Sequence, residues 1–172
     1  MLNLKIFSII LLILYIIFLI KVLKFNNIIE NFMQSSNNNI WMYWENKPGH
    51  TKPAYINLCY KTVQKHCKKK FKIHLLNENT VKKYLPNMRN DLNKKLNIPQ
   101  KTDYIRYLLL YKYGGIWLDS DIIVMNDLTP LIKKLDKYDY IGAGCHDRNC
   151  IKGGFPKPAN WVMVSRKNTK FM

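Results

Sequence analysis

Tyr113-Gly114-Gly115-Ile116-Trp117-Leu118-Asp119-Ser120-Asp121 is the stretch on which the fold turns. Two adjacent glycines throw the chain out of a helix, a short apolar run follows, and two carboxylates stand at i and i+2. On an extended backbone residues two apart project to the same face, so the pair can converge at a strand's end. Two hard oxygen ligands there suit Mg²⁺ or Mn²⁺, cations that in turn bind a substrate's phosphates. An isolated Asp-x-Asp is more often an ordinary turn with two acidic residues. Its surroundings raise this one above that reading.

Immediately upstream, residues 101–112 read as a helix. Thr102 is a good N-cap, Ile105, Leu108 and Leu109 recur at helical spacing, and Gly114 stands where a glycine ends a helix. Asp103 and Arg106 are three apart and therefore neighbours on one helical edge. A surface ion pair, worth at most about 1 kcal/mol, is the plain explanation. A polar edge facing the same cleft as the Asp pair is the sharper one, and the fixed distance to Gly-Gly and Asp-x-Asp favours it.

The block Asp103-x-x-Arg106, Leu109 or Leu110, then Gly114-Gly115-x-Trp117-x-Asp119-x-Asp121 resembles the DXD-type sugar transferases. These include initiating mannosyltransferases of the yeast type, capsular polysaccharide synthesis transferases and the large clostridial glucosylating toxins. The capsular branch is the best match, and the likeness runs from Ile40-Trp41-Met42-Tyr43-Trp44 to the last residue, roughly three quarters of the chain. It implies a GT-A-type, Rossmann-like nucleotide-sugar-binding α/β sheet with flanking helices. It further implies Mn²⁺ or Mg²⁺ held by Asp121 directly, with Asp119 on ribose or a metal-bound water. Asp103 and Arg106 would orient the transferred sugar as donor-binding and catalytic residues, and Trp44 would stack on the donor's base. Large aromatics at a first strand's end are usually core; the role of Trp44 comes from the likeness of Ile40-x-x-x-Trp44 to the toxins' opening strand. Two departures are Trp41, where the family commonly has His, and Glu45-Asn46-Lys47-Pro48-Gly49, where its glycine is out of register.

Composition bounds the rest. A chain of 172 residues with one apolar N-terminal run leaves room for one domain of roughly 130 residues, enough for a real core. The formal charge is +17, from 28 basic and 11 acidic residues, which would ordinarily suggest nucleic acid or an anionic membrane. However, 24 of the 28 are Lys, and Arg is the residue that reads guanine edges, so no specific nucleic-acid partner is expected. Attraction to a diphosphate donor or an anionic surface is a secondary use of the charge.

Residues 6–20 carry no charge, and residues 4–23, with Lys5 and Lys21 at the interfaces, approach the ~20 residues a bilayer needs. No small-x-small cleavage site follows, so residues 1–25 are read as an uncleaved membrane anchor, a transmembrane helix. Basic residues on both sides leave its orientation open; the resemblance implies a short cytoplasmic tail and a lumenal or external domain. Residues 26–39 lose periodicity and read as a polar stem.

Residues 40–172 form the domain. An apolar strand at 40–44 opens it, and Pro53 starts a helix with the stripe Ile56, Cys59, Tyr60, Val63 and Cys67. Phe71, Ile73 and Leu75 alternate with Lys72 and His74 as a second strand. Asn77 caps a short helix to Leu85, and another lies near 91–96. After the Asp pair come a strand through Met125, a helical turn at 128–135, a strand near Tyr140 and a last strand at 161–164. Alternating strands and helices place the site at a strand's carboxyl end.

Cys59 and Cys67 are eight apart on the predicted helix, about 12 Å, too far for a disulfide. Cys145 and Cys150 could pair under oxidising conditions, and with His146 they suggest a zinc site that lacks a fourth ligand. His50, His66 and His74 are expected at the surface. Two rival functions are an Asp-x-Asp phosphohydrolase with Asp119 as nucleophile, and a non-catalytic membrane-bound protein that keeps a nucleotide-sugar fold. The expected partners are a nucleotide-sugar donor, a glycan, lipid-linked or protein acceptor, and the membrane. Since relatives of the resembling family continue past this point, the domain is expected to be incomplete, with apolar surface exposed near Trp161 and Val164.

Overall fold

The computed structural model describes residues 11–25, 38–89, 91–144, 151–152, 155–156 and 158–170. The chain divides into two compact units, Met1–Ser35 and Ser36–Met172. In the first, residues 11–25 form helix α1, whose large apolar side chains are exposed. Among the described residues no helix is long and apolar enough to cross a membrane. Residues 4–10 of the expected anchor, residues 26–37 of the stem and the Cys145–Cys150 segment lie outside the described residues.

The second unit is an α/β domain. Its strands are β1 (Asn39–Tyr43), β2 (Lys72–Leu76), β3 (Gly115–Leu118), β4 (Tyr140–Gly144), β5 (Ile151–Lys152), β6 (Phe155–Pro156) and β7 (Pro158–Ser165). Its helices are α2 (Ala54–Cys67), α3 (Leu92–Lys95), α4 (Ile98–Tyr113) and α5 (Thr129–Lys133). Five strands make one mixed sheet in the order β2-β1-β3-β7-β4, and β5 pairs with β6 apart from it. β1 lies parallel to both β2 and β3, while β7 runs antiparallel to β3 and β4.

Strand periodicity of two sorts the core into two layers. Ile40, Met42, Ile116, Leu118 and Val164 face one side and pack against Val63 and Cys67 of α2, with Ile132 and Leu135. Trp41, Tyr43, Trp117 and Met163 face the other side and pack against Ile105, Leu109 and Leu110 of α4. Each such buried side chain contributes roughly 1.5–3 kcal/mol of apolar transfer.

Helix α4 begins earlier than its sequence suggests. Asn97 accepts from the Gln100 backbone and Gln100 reaches back to the Asn97 backbone, a capping box, with Pro99 in the first turn. Thr102 therefore lies inside the helix, its hydroxyl donating to the Ile98 carbonyl at 2.8 Å. At the other end Gly114 and Gly115 adopt φ of 66° and 103°, values that side chains resist, and this turns the chain directly into β3.

Three further expectations are corrected. Residues 122–125 are not a strand: the Asp119 carbonyl accepts from the Ile122 amide in a turn, and the Val124 amide donates to the Thr62 hydroxyl. His74 is not a free surface residue, because its ring stacks on Trp41 at 4.2 Å. Val164 is buried, since β7 is an interior strand with β4 on its outer side, whereas Trp161 is 43% exposed. Cys59 and Cys67 are free thiols, as their spacing requires.

Candidate active site

The carboxyl ends of β1 and β3 open into one cleft of about 510 Å³. One wall is the chain leaving β1, with Tyr43, Trp44 and Glu45; the opposite wall is the first half of α4, with Ile98, Thr102 and Arg106. Asp119, Ser120 and Asp121 line it between them. The Ser120 hydroxyl donates to the Tyr43 carbonyl at 2.8 Å and so ties the ends of the two strands together. The reason for this convergence is topological: adjacent parallel strands end on the same side of the sheet, and the chain must leave both there.

Arg106 organises the cleft. It is buried, yet its guanidinium lies 3.1 Å from Asp103 and 3.3 Å from Asp119, and it donates to the Asn160 carbonyl at the start of β7. Its plane sits 5.1 Å from the Trp117 ring centre, a cation–π placement. Among the described residues its Nε has no hydrogen-bond partner. A buried donor without an acceptor is costly, commonly about 1–3 kcal/mol.

The two aspartates are not equivalent. Asp119 follows the last residue of β3, and its Oδ1 accepts from the Trp117 indole at 2.7 Å as well as facing Arg106. Burial raises its pKa, against the pull of the Trp117 hydrogen bond and the Arg106 charge; the neighbouring Asp121 and Asp103 add to the rise. Asp121, by contrast, is exposed at the cleft and forms no ion pair among the described residues. The pair does not lie on extended backbone, as the i, i+2 reading assumed, but in the turn that leaves the strand. That turn, rather than strand pleating, puts both on the cleft.

Of the residues singled out by sequence, Trp44, Arg106, Asp119 and Asp121 line this cleft. Asp103 does not line the cleft; its side chain accepts from the Asn160 side-chain amide at 2.9 Å and pairs with Arg106. Trp44 is half-buried, its indole N–H held by Asn46 at 2.8 Å. A second recess of about 350 Å³, with Lys52, Asn77 and Glu78, adjoins on its other side, so Trp44 and Asn46 line both. Sequence reasoning missed Asn160, Glu45 and Lys101. Asn160 joins the network through both its backbone carbonyl and its side-chain amide, from 54 and 57 residues away, a signal no local pattern carries.

The fit of a divalent cation follows from this donor chemistry. No three metal-ligating side chains converge among the described residues. Mg²⁺ and Mn²⁺ need few protein ligands when waters and substrate phosphates supply the rest, and an unpaired cleft carboxylate such as Asp121 is suited to that.

The family model "Capsular polysaccharide synthesis protein" matches residues 18–172. Over 33 residues, 19% of this chain and 9% of the other, the sequence is 48% identical to inositol phosphoceramide mannosyltransferase 3 of Schizosaccharomyces pombe. The solved structure of PaToxG Glycosyltransferase superposes with a TM-score of 0.50 at 15% identity, over 83% of this chain and 62% of its own. The apo-form glycosyltransferase GlyE of Streptococcus pneumoniae TIGR4 gives 0.44 at 20% identity, over 76% and 34%. The chain thus spans less than two thirds of each of these proteins, and the likeness to PaToxG concerns the fold alone.

Proposed function

The chain belongs to the capsular polysaccharide synthesis protein family, and from that premise we propose that it is a metal-dependent glycosyltransferase. It would move a sugar from a nucleotide-sugar donor to a hydroxyl of a glycan, lipid-linked or protein acceptor. The observation that carries this reading is Arg106, buried between Asp103 and Asp119 on a cleft that Trp44 and Asp121 share.

In the transfer, the bond between the anomeric carbon and the diphosphate oxygen breaks and a bond to the acceptor oxygen forms. Negative charge gathers on the diphosphate as it leaves. Preorganised positive charge is what lowers such a barrier. Arg106 offers N–H donors from a fixed position, because Asp103 and Asn160 hold its guanidinium before any ligand arrives, while its charge is shared with Asp103 and Asp119. Asp121, with Asp119, would hold Mn²⁺ or Mg²⁺, and when bound the cation supplies further positive charge against the leaving group. Trp44 offers an aromatic face for the base.

A phosphohydrolase reading is less well supported. It needs Asp119 as a nucleophile, whereas the family match is to capsular polysaccharide synthesis proteins. Residues 4–23 are proposed as a signal anchor of a type II membrane protein, with the domain lumenal or external; retention in membranes after alkaline carbonate washing tests it. For the activity, a panel of nucleotide sugars is scored for Mn²⁺-dependent hydrolysis by the full chain. Turnover of at least one that Arg106→Lys abolishes is expected. Hydrolysis of p-nitrophenyl phosphate with no nucleotide sugar consumed would overturn the proposal.

A further inference from the structure

The chain leaving β1 holds a charged cluster that the transfer described above does not use. Glu45 lines the cleft, and its side chain is only 16% exposed. Its Oε2 accepts from the Tyr43 hydroxyl at 2.5 Å and pairs with the ammonium of Lys101, which is 4% exposed. Burial, with the neighbouring Glu45, pushes the Tyr43 phenol far above its usual value and keeps it a hydrogen-bond donor. Lys101 belongs to the first turn of α4, so this contact joins the two walls of the cleft.

Burying a lysine and a glutamate together is an expensive way to fasten a loop; an apolar contact of the same volume would commonly be as stable. What the charged version adds is a carboxylate at a fixed place on the cleft wall. Its second oxygen, Oε1, takes no hydrogen bond among the described residues. An acceptor-only group cannot bind phosphate, since two anions would be brought together. It binds hydroxyls well, through charge-assisted hydrogen bonds, and the two lone pairs of Oε1 can accept from a neighbouring pair of hydroxyls.

We propose that Glu45 is a further ligand-binding residue of this cleft, accepting hydrogen bonds from a vicinal diol of the bound nucleotide sugar, with Lys101 and Tyr43 as its positioning residues. This rests on the donor reading above. Both ribose and the transferred sugar offer such a diol, and the two sources can be separated by experiment.

The test is equilibrium binding to the full chain in detergent with Mn²⁺ present. In the ribose arm the probes are UDP and GDP against their 2′-deoxy forms. In the sugar arm they are UDP-glucose and GDP-mannose against the same donors carrying a 2-deoxy sugar. Wild type is expected to prefer the intact diol by about tenfold in one arm. Glu45→Leu combined with Lys101→Met removes the acceptor but keeps the volume of the pair, and should reduce that preference to about twofold or less. Glu45→Gln weakens the acceptor at constant size and gives the same direction of change if the double variant does not fold. Lys101→Arg should preserve the preference. A merely structural role would weaken intact and deoxy ligands alike and leave their ratio untouched; that ratio unchanged in a folded, binding variant overturns the inference. Wild type that binds none of the probes would bring down the donor reading, and this inference with it.

Discussion

Trp41 and Trp44 are three residues apart and meet opposite fates. Trp41 is 1% exposed; its indole N–H donates to the Gly114 carbonyl at 2.9 Å, and its ring meets His74, Tyr84 and Tyr113. Trp44 leaves the sheet, is half-buried, and has cleft on one side and recess on the other. The aromatic wall around Trp41 satisfies its own polar groups: the Tyr113 hydroxyl and Lys112 both donate to the Tyr84 carbonyl, and His74 bonds Asn39 and Tyr84. Around the cleft beyond Trp44, Arg106 Nε is buried with no hydrogen-bond partner and Asp121 is exposed with no ion pair among the described residues. A region that closes its own hydrogen bonds is built for stability, whereas one that leaves them open is shaped for something that arrives later.

The contrast can be broken at its strongest point first. Trp41→Ala should cost about 3–5 kcal/mol by denaturant unfolding, as a large aromatic removed from a packed core does. Trp44→Ala should cost less than about 1 kcal/mol in stability and weaken nucleotide binding about tenfold, roughly 1.4 kcal/mol. Similar stability losses in both would erase the distinction between wall and cleft.

Arg106→Met comes next. It strips Asp119 and Asp103 of their shared cation, and a stability loss of about 2–3 kcal/mol is expected together with loss of detectable nucleotide binding. A variant as stable as wild type that still binds donor would show the network to be incidental.

The wall should also carry a pH signature. Burial, with some help from Lys72, lowers the pKa of His74 below 6.5, so the folded state binds the proton less readily than the unfolded chain. Its contribution to stability is therefore present above pH 6.5 and is lost as pH falls through the lower folded value. Urea midpoints measured from pH 7 to 5 should decline, and His74→Gln should flatten that part of the profile. The smallest effect belongs to Asp127. Lys70 at 2.7 Å and the Thr129 amide hold its pKa at about 2, but the pair is on the surface. Asp127→Asn should change stability by less than about 0.5 kcal/mol and nucleotide binding not at all, by the same two assays.

Much of this arrangement is legible in the sequence because it is local. The glycine pair ending α4, the stripe on α2 and the alternation of β2 are each set within about four residues, and the block from Asp103 to Asp121 points to the strand whose end lines the cleft. What escapes is tertiary. Thr102 looks like a cap until Asn97 and Gln100 are seen to close a better one; residues 122–125 look like a strand until the turn at Asp119 and the Thr62 hydroxyl claim their amides. His74 alternates like a solvent-facing residue, yet Trp41 on the neighbouring strand covers it. The buried Lys101–Glu45 pair joins positions that no spacing rule connects.

The central claim is that the open groups of the cleft hold a nucleotide sugar through a divalent cation at Asp121. Its most direct test is the dissociation constant of a nucleoside diphosphate, titrated with and without Mn²⁺, for wild type and Asp121→Asn. Asp121 is exposed and unpaired among the described residues, so the substitution should leave stability within about 0.5 kcal/mol. Mn²⁺ is expected to tighten wild-type binding at least tenfold, about 1.4 kcal/mol, and to do little for Asp121→Asn. Binding that ignores Mn²⁺, or an equal response in both proteins, would contradict it.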